Sequence, residues 1–129
     1  IKNLCYYRNI NIKLIKFLQG NDIMEKGPSF YAEYWTSDIN EIMHFKKHGK
    51  QMGYDKIRDY SKAAKEFIKS NDKNKISFTA KDGSCYMYNS KTNEFAIISR
   101  NGGIVTYFPP SKGIEYFLDQ FNKYGDYWN

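Results

Sequence analysis

ISFTAKDGSCYMYNSKTNEFAIISRNGGIVTYF, residues 76–108, is the stretch whose reading decides the fold. Its apolar and polar residues alternate in short runs separated by turn-forming residues. ISFTAK is followed by Asp82-Gly83, CYMY by the NSKTN loop, EFAIIS by Asn101-Gly102, and Pro109-Pro110 close IVTYF. Asp-Gly and Asn-Gly accept the positive φ angles of tight hairpin turns, so between alternating runs they are strong hairpin signals. Four short strands in antiparallel meander order are predicted.

On both sides of this stretch the period changes to that of a helix. Upstream, Asp55 is read as the cap of a helix in which Ile57, Tyr60, Ala64, Phe67 and Ile68 face one way, ending at SNDKN, 70–74. Before it, Thr36 or Ser37 caps an earlier helix, with Asp38 and Glu41 in the first turn where the dipole favours carboxylates. Ile39, Ile42 and Met43 form its expected apolar stripe, with His44, His48 and Gln51 roughly opposite, Lys47 nearer the boundary, and Gly49 or Gly53 at its end. Downstream, Ser111 is read as the cap of a last helix with Ile114, Phe117, Leu118 and Phe121 on its apolar side. The expected class is α+β: N-terminal helices packed on one face of a four-stranded antiparallel meander sheet, and a C-terminal helix. The other sheet face is expected to be open, and a substrate would lie there. Residues 1–35, where INIKLIKFL fits strand or helix and GPS at 27–29 breaks either, read as an N-terminal extension or linker, and 36–129 as the functional domain.

A chain of 129 residues is one domain's worth of protein. Aromatic residues make up 18%, a supply of rings for a core or for stacking on bases. Twenty Lys+Arg against fourteen Asp+Glu give +6, a balance that suits nucleic acid, an acidic protein or a membrane surface. No apolar run approaches the length of a membrane span, so stable membrane insertion is not expected. Cys5 and Cys85 lie far apart without ligand spacing, which argues against a disulfide framework or zinc site and favours a cytosolic working environment. The start at Ile1 without Met reads as a fragment of something larger.

HFKKHG, residues 44–49, holds both histidines of the chain. Spacing i, i+4 puts two imidazoles on one helical face, as in helical zinc sites. The intervening Lys46 and Lys47 would repel a divalent cation, however, and no third ligand stands out; no metal or cofactor is expected. A second reading is acid–base chemistry on RNA. Cleavage without metal needs a base for the 2′-OH proton, an acid for the leaving 5′-oxygen, and cations where negative charge builds on the phosphate. Histidine suits the proton transfers because its unperturbed pKa lies near neutrality, and adjacent lysines disfavour the imidazolium. The third reading is a solvated helix face with no chemical task.

The sheet supplies further candidates. If Val105 and Tyr107 pack against the helices, Thr106 and Phe108 lie on the open face, where a hydroxyl can bond a phosphate oxygen and a ring can stack on a base. Tyr86 and Tyr88 share a face in the same way, and Lys81 and Arg100 flank the turns. Ordinary strand and surface positions look the same.

A Lys-rich helix ending in FKKHG, a second helix with YSKAAKEF, a four-strand meander and GIVTYF follow one another over about residues 42–110. This order resembles the colicin D-like C-terminal nuclease domains of contact-dependent inhibition and polymorphic toxins, in the barnase/EndoU/colicin/RelE-like fold group. The resemblance implies a metal-independent ribonuclease that cleaves tRNA to 2′,3′-cyclic phosphate and 5′-OH ends. It also implies release from a larger secreted or cell-surface toxin, action in the target-cell cytoplasm, and neutralisation by a dedicated immunity protein. A lysine directly before a histidine carries the chemistry in that family and matches Lys47 and His48. A serine and a tryptophan two residues on match Thr106 and Phe108, both changed here. Carried over, His48 is the base or acid, Lys47 with Lys46 stabilises phosphate charge, Thr106 orients the phosphate, and His44 is the second proton-transfer group. Tyr86, Tyr88 and Phe108 would hold the unstacked loop. A non-catalytic RNA- or DNA-binding module and a protein-interaction domain for an acidic partner are the alternatives.

Overall fold

The computed structural model describes residues 31–126. Readings that concern residues 1–30, Cys5 included, lie outside them. Strands β1 (Lys75–Thr79), β2 (Cys85–Asn89), β3 (Glu94–Ile98) and β4 (Ile104–Phe108) pair antiparallel in the order β1-β2-β3-β4. Each coincides with one alternating run, and Gly83 and Gly102 take φ angles of 90° and 98° in the intervening turns, where a Cβ would be strained. Helices α1 (Asp38–His48) and α2 (Ile57–Lys69), separated by a short helical turn at Lys50–Met52, precede the sheet, and α3 (Ile114–Tyr124) follows it. The fold is the α+β arrangement the sequence predicts.

Ser37 caps α1, its hydroxyl accepting from the Asn40 backbone N–H at 3.0 Å. The other two expected caps are corrected. Lys56 holds the N-cap of α2 without a side-chain bond, and Gly113, at φ 57°, holds that of α3. A turn from the Pro110 carbonyl to the Gly113 N–H, 3.1 Å, places the start of α3 beyond Ser111. At the other end of α2, the buried Lys75 ammonium donates to the carbonyls of Phe67, Ile68 and Ser70 at 2.9, 2.7 and 2.9 Å. Those are the acceptors a helix C-terminus leaves unpaired. Burial pushes the Lys75 pKa down to about 8.

The sheet has no open face of the kind expected. On one side Met87, Ala96, Ile98, Ile104 and Tyr107 pack with Trp35 and with Tyr60, Ala64, Phe67 and Ile68 of α2. On the other, Phe78, Tyr88 and Phe95 pack with Phe117 of α3, whose ring lies 5.3 Å from Phe78 and 5.8 Å from Tyr88. The aromatic side chains of β1–β3 need cover on that face, and α3 supplies it. Phe117 and Phe121 pack as expected, whereas Ile114 and Leu118 stay exposed and Tyr116 joins the packed side.

Between β3 and β4 the register shifts, with Ile97 opposite Thr106 and Ile98 opposite Ile104. Val105 is therefore the extra residue of a bulge. The bulge breaks the period-two rule at the start of β4, so Ile104 shares a core with Tyr107 rather than a face with Thr106 and Phe108.

Two further expectations change. The boundary after residue 35 falls inside the fold: Ala32 and Trp35 are core residues, and Ala32 N–H donates to the Gly102 carbonyl at 2.8 Å. Cys85, buried at the start of β2, is disulfide-bonded, against the expectation of unpaired cysteines. No described helix is long and apolar enough to cross a membrane.

Candidate active site

Helix α1 runs beside edge strand β4, and polar bonds together with Phe45, whose ring lies 5.8 Å from Tyr60, fix its face. Thr36 N–H donates to the Ile104 carbonyl at 2.9 Å, and Asn40 Nδ2 donates to the Val105 carbonyl at 2.9 Å. The bulge residue is the one whose carbonyl meets the helix. Ser61 of α2 donates to the Glu41 carboxylate at 2.5 Å, which sets the rotation of α1 from its other side. As a result Asn40, Glu41, His44, Phe45 and His48 are the half-buried positions. The expected apolar stripe is inverted, with Ile39 70% and Met43 62% exposed.

This rotation lays four rings in a row. Trp35 lies 5.6 Å from His44, His44 lies 6.0 Å from His48, and His48 stacks on Phe108 at 4.8 Å and 18°. His44 Nδ1 is 2.9 Å from the Asn40 carbonyl, which only accepts, so Nδ1 carries the hydrogen. The Gln51 amide oxygen lies 2.8 Å from His48 Nδ1 and does the same there. With Nδ1 so committed, Nε2 is the atom that exchanges a proton on each ring: it offers a lone pair in the neutral form and a hydrogen in the protonated form.

Half-burial holds the His48 pKa below the usual histidine range; the Gln51 bond pulls it partly back up, and His44 and Lys47 push it further down. The shift favours the neutral ring. Lys47 follows His44 by three residues, about 60° away around the helix, so it flanks the imidazoles. Lys46 lies about 160° from His44 by the same geometry, on the outer face with Ile42.

The remaining candidates separate. Phe108 joins the site as the ring beneath His48. Thr106 shares its sheet face but is 7% exposed, so its hydroxyl is largely withdrawn from a substrate. Tyr88 is buried under α3 and donates to Asn93 Oδ1 at 2.7 Å, while Tyr86 stacks on Phe78 and Tyr124. Neither offers a free stacking face of the kind expected. Lys81 and Arg100 sit in the turns at the end of the sheet where β4 begins, whereas His48 meets β4 where it ends, about 13 Å further along the strand.

A scan against protein-family models finds no match, and a search of the curated proteins finds no significant one. The side chains themselves carry the reading of function.

Asn40 and Gln51, which fix the imidazole tautomers, were not among the sequence candidates, although both stand at helical spacings from a histidine, i−4 and i+3. Trp35 gives no such signal, because its place beside His44 depends on the pairing of residues 34–36 with Ile104. Among the described residues no group of three His, Cys, Asp or Glu side chains is placed to hold a metal ion.

Proposed function

We propose that this domain is a ribonuclease that cleaves RNA by internal transesterification, without a metal ion. The observation that carries the proposal is the pair of imidazoles one helical turn apart, each with Nδ1 committed to a local acceptor and Nε2 left open. In the proposed reaction His48 Nε2 takes the proton of a ribose 2′-OH. The 2′-oxygen attacks the adjacent phosphorus, the bond from phosphorus to the 5′-oxygen breaks, and protonated His44 gives its Nε2 proton to that oxygen. Products are a 2′,3′-cyclic phosphate and a 5′-OH. Lys47 offsets charge on the phosphate oxygens as the bond order changes. Phe108 holds the His48 ring plane, and Thr106, nearly buried, is given no phosphate contact.

The resemblance to colicin D-like toxin nucleases extends the proposal. On that ground the RNA is tRNA, the domain is delivered from a larger toxin to the target-cell cytoplasm, and an immunity protein neutralises it. The test is cleavage of RNA in EDTA by the wild type and by His48→Ala. The wild type is expected to retain its rate in EDTA, and the variant to lose about 10²–10⁴-fold. A variant that cleaves at the wild-type rate overturns the assignment of His48; a variant and wild type that both bind RNA without cutting it make the domain a binding module.

A further inference from the structure

The ring that supports His48 is also a wall of a second concavity. A cleft of about 290 Å³ opens between the end of β4 and α3, lined by Phe108, Ser111, Lys112, Tyr116 and Lys123 among others. That volume is near the lower end for small-ligand sites, roughly 300 Å³, so it has room for one nucleotide unit and not for a duplex. Its chemistry is divided. Phe108 and Tyr116 meet edge to face at 5.6 Å and give an aromatic wall. Lys112 and Lys123 are exposed, and neither forms an ion pair among the described residues. Lys112 also stands just before α3, where the helix dipole is positive. Asp119 and Gln120 line the cleft too; a carboxylate there disfavours a phosphate beside it but accepts hydrogen bonds from base N–H groups.

We propose that this cleft is a nucleotide subsite for the RNA strand being cleaved. The base lies against the Phe108–Tyr116 wall with Asp119 and Gln120 at its polar edge, and its phosphate lies at Lys112 and Lys123. Because Phe108 touches both His48 and the cleft, a strand seated over the imidazoles continues into it without crossing the covered face of the sheet. The inference rests on the ribonuclease reading and deepens it.

The test uses a 2′-O-methyl RNA oligonucleotide, which lacks the attacking hydroxyl and reports binding alone, with the unmodified RNA for kinetics. Lys112→Ala/Lys123→Ala is compared with wild type and with Lys62→Ala/Lys73→Ala, a control of equal charge on exposed positions elsewhere. The cleft variant is expected to bind the probe about tenfold more weakly and to lose about 1 to 2 from the slope of log K against log salt. On cleavable RNA its KM should rise while kcat stays within about twofold. Unchanged probe affinity, an equal loss in the control, or no probe binding by the wild type overturns the subsite. If the wild type cleaves nothing, the ribonuclease reading falls by itself, and the difference in probe binding still decides whether the cleft holds a nucleotide.

Discussion

At His48, three neighbours act on one ring. Half-burial and the nearby charges of His44 and Lys47 disfavour the imidazolium, while the bond to Gln51 favours it. In the proposed mechanism His48 is a general base, which works in its neutral form, so activity should rise as pH climbs through the His48 pKa. Since that pKa is lowered, the acid limb of log(kcat/KM) should fall below the usual histidine position. Two substitutions should move it in opposite directions. Gln51→Ala removes a bond that raises the pKa and shifts the limb to lower pH; Lys47→Gln removes a charge that lowers it and shifts the limb to higher pH, with a slower rate at the plateau. A pH–rate profile of the three proteins checks both signs, and shifts in the same direction would contradict this account of the ring. That His44 and His48 share one side of α1 was legible in the sequence from their spacing. The partner of its Nδ1 became plain only once the short turn at Lys50–Met52 brought Gln51 back to the ring.

On the scale of elements, strands were easier to read than helix faces. Alternation and two Gly-containing turns fix four strands locally, with little help from the rest of the chain. The face of α1 is fixed non-locally, by Asn40 on the Val105 carbonyl and Glu41 on Ser61, so a stripe of three apolar residues pointed the wrong way. The bulge is the physical cause: it turns one β4 carbonyl toward the helix and at the same time exchanges the face of Ile104. Asn40→Ala, which removes bonds to Val105 and to Thr36 Oγ1, should cost about 1–2 kcal/mol. Met43→Ala, at an exposed position, should stay within about 0.5 kcal/mol. Urea midpoints at constant m measure the difference; a larger loss at Met43 than at Asn40 would mean that the apolar face of α1 is the buried one.

Across the described residues both faces of the sheet are covered, and backbone partners lie along β4 and at the end of β1. Residues 34–36 and α1 cover β4, and Asp126 N–H donates to the Thr79 carbonyl at 3.0 Å beside β1. A reading that helices before the sheet must share one face did not foresee α3 on the other, because a stripe of Ile114, Phe117, Leu118 and Phe121 says that a helix packs but not where. Among the described residues, the rim where α1, the end of β4 and the start of α3 meet carries His44, His48, Lys47 and Phe108 together with Lys112. In the proposed mechanism the imidazoles of that rim use the substrate's own 2′-hydroxyl. The most direct test is to incubate the protein in EDTA with an RNA and with its fully 2′-O-methyl counterpart, and to identify the new ends. The account predicts cleavage of the RNA alone, with 2′,3′-cyclic phosphate and 5′-OH termini; cleavage of the 2′-O-methyl strand, or RNA fragments ending in 3′-OH and 5′-phosphate, would contradict it.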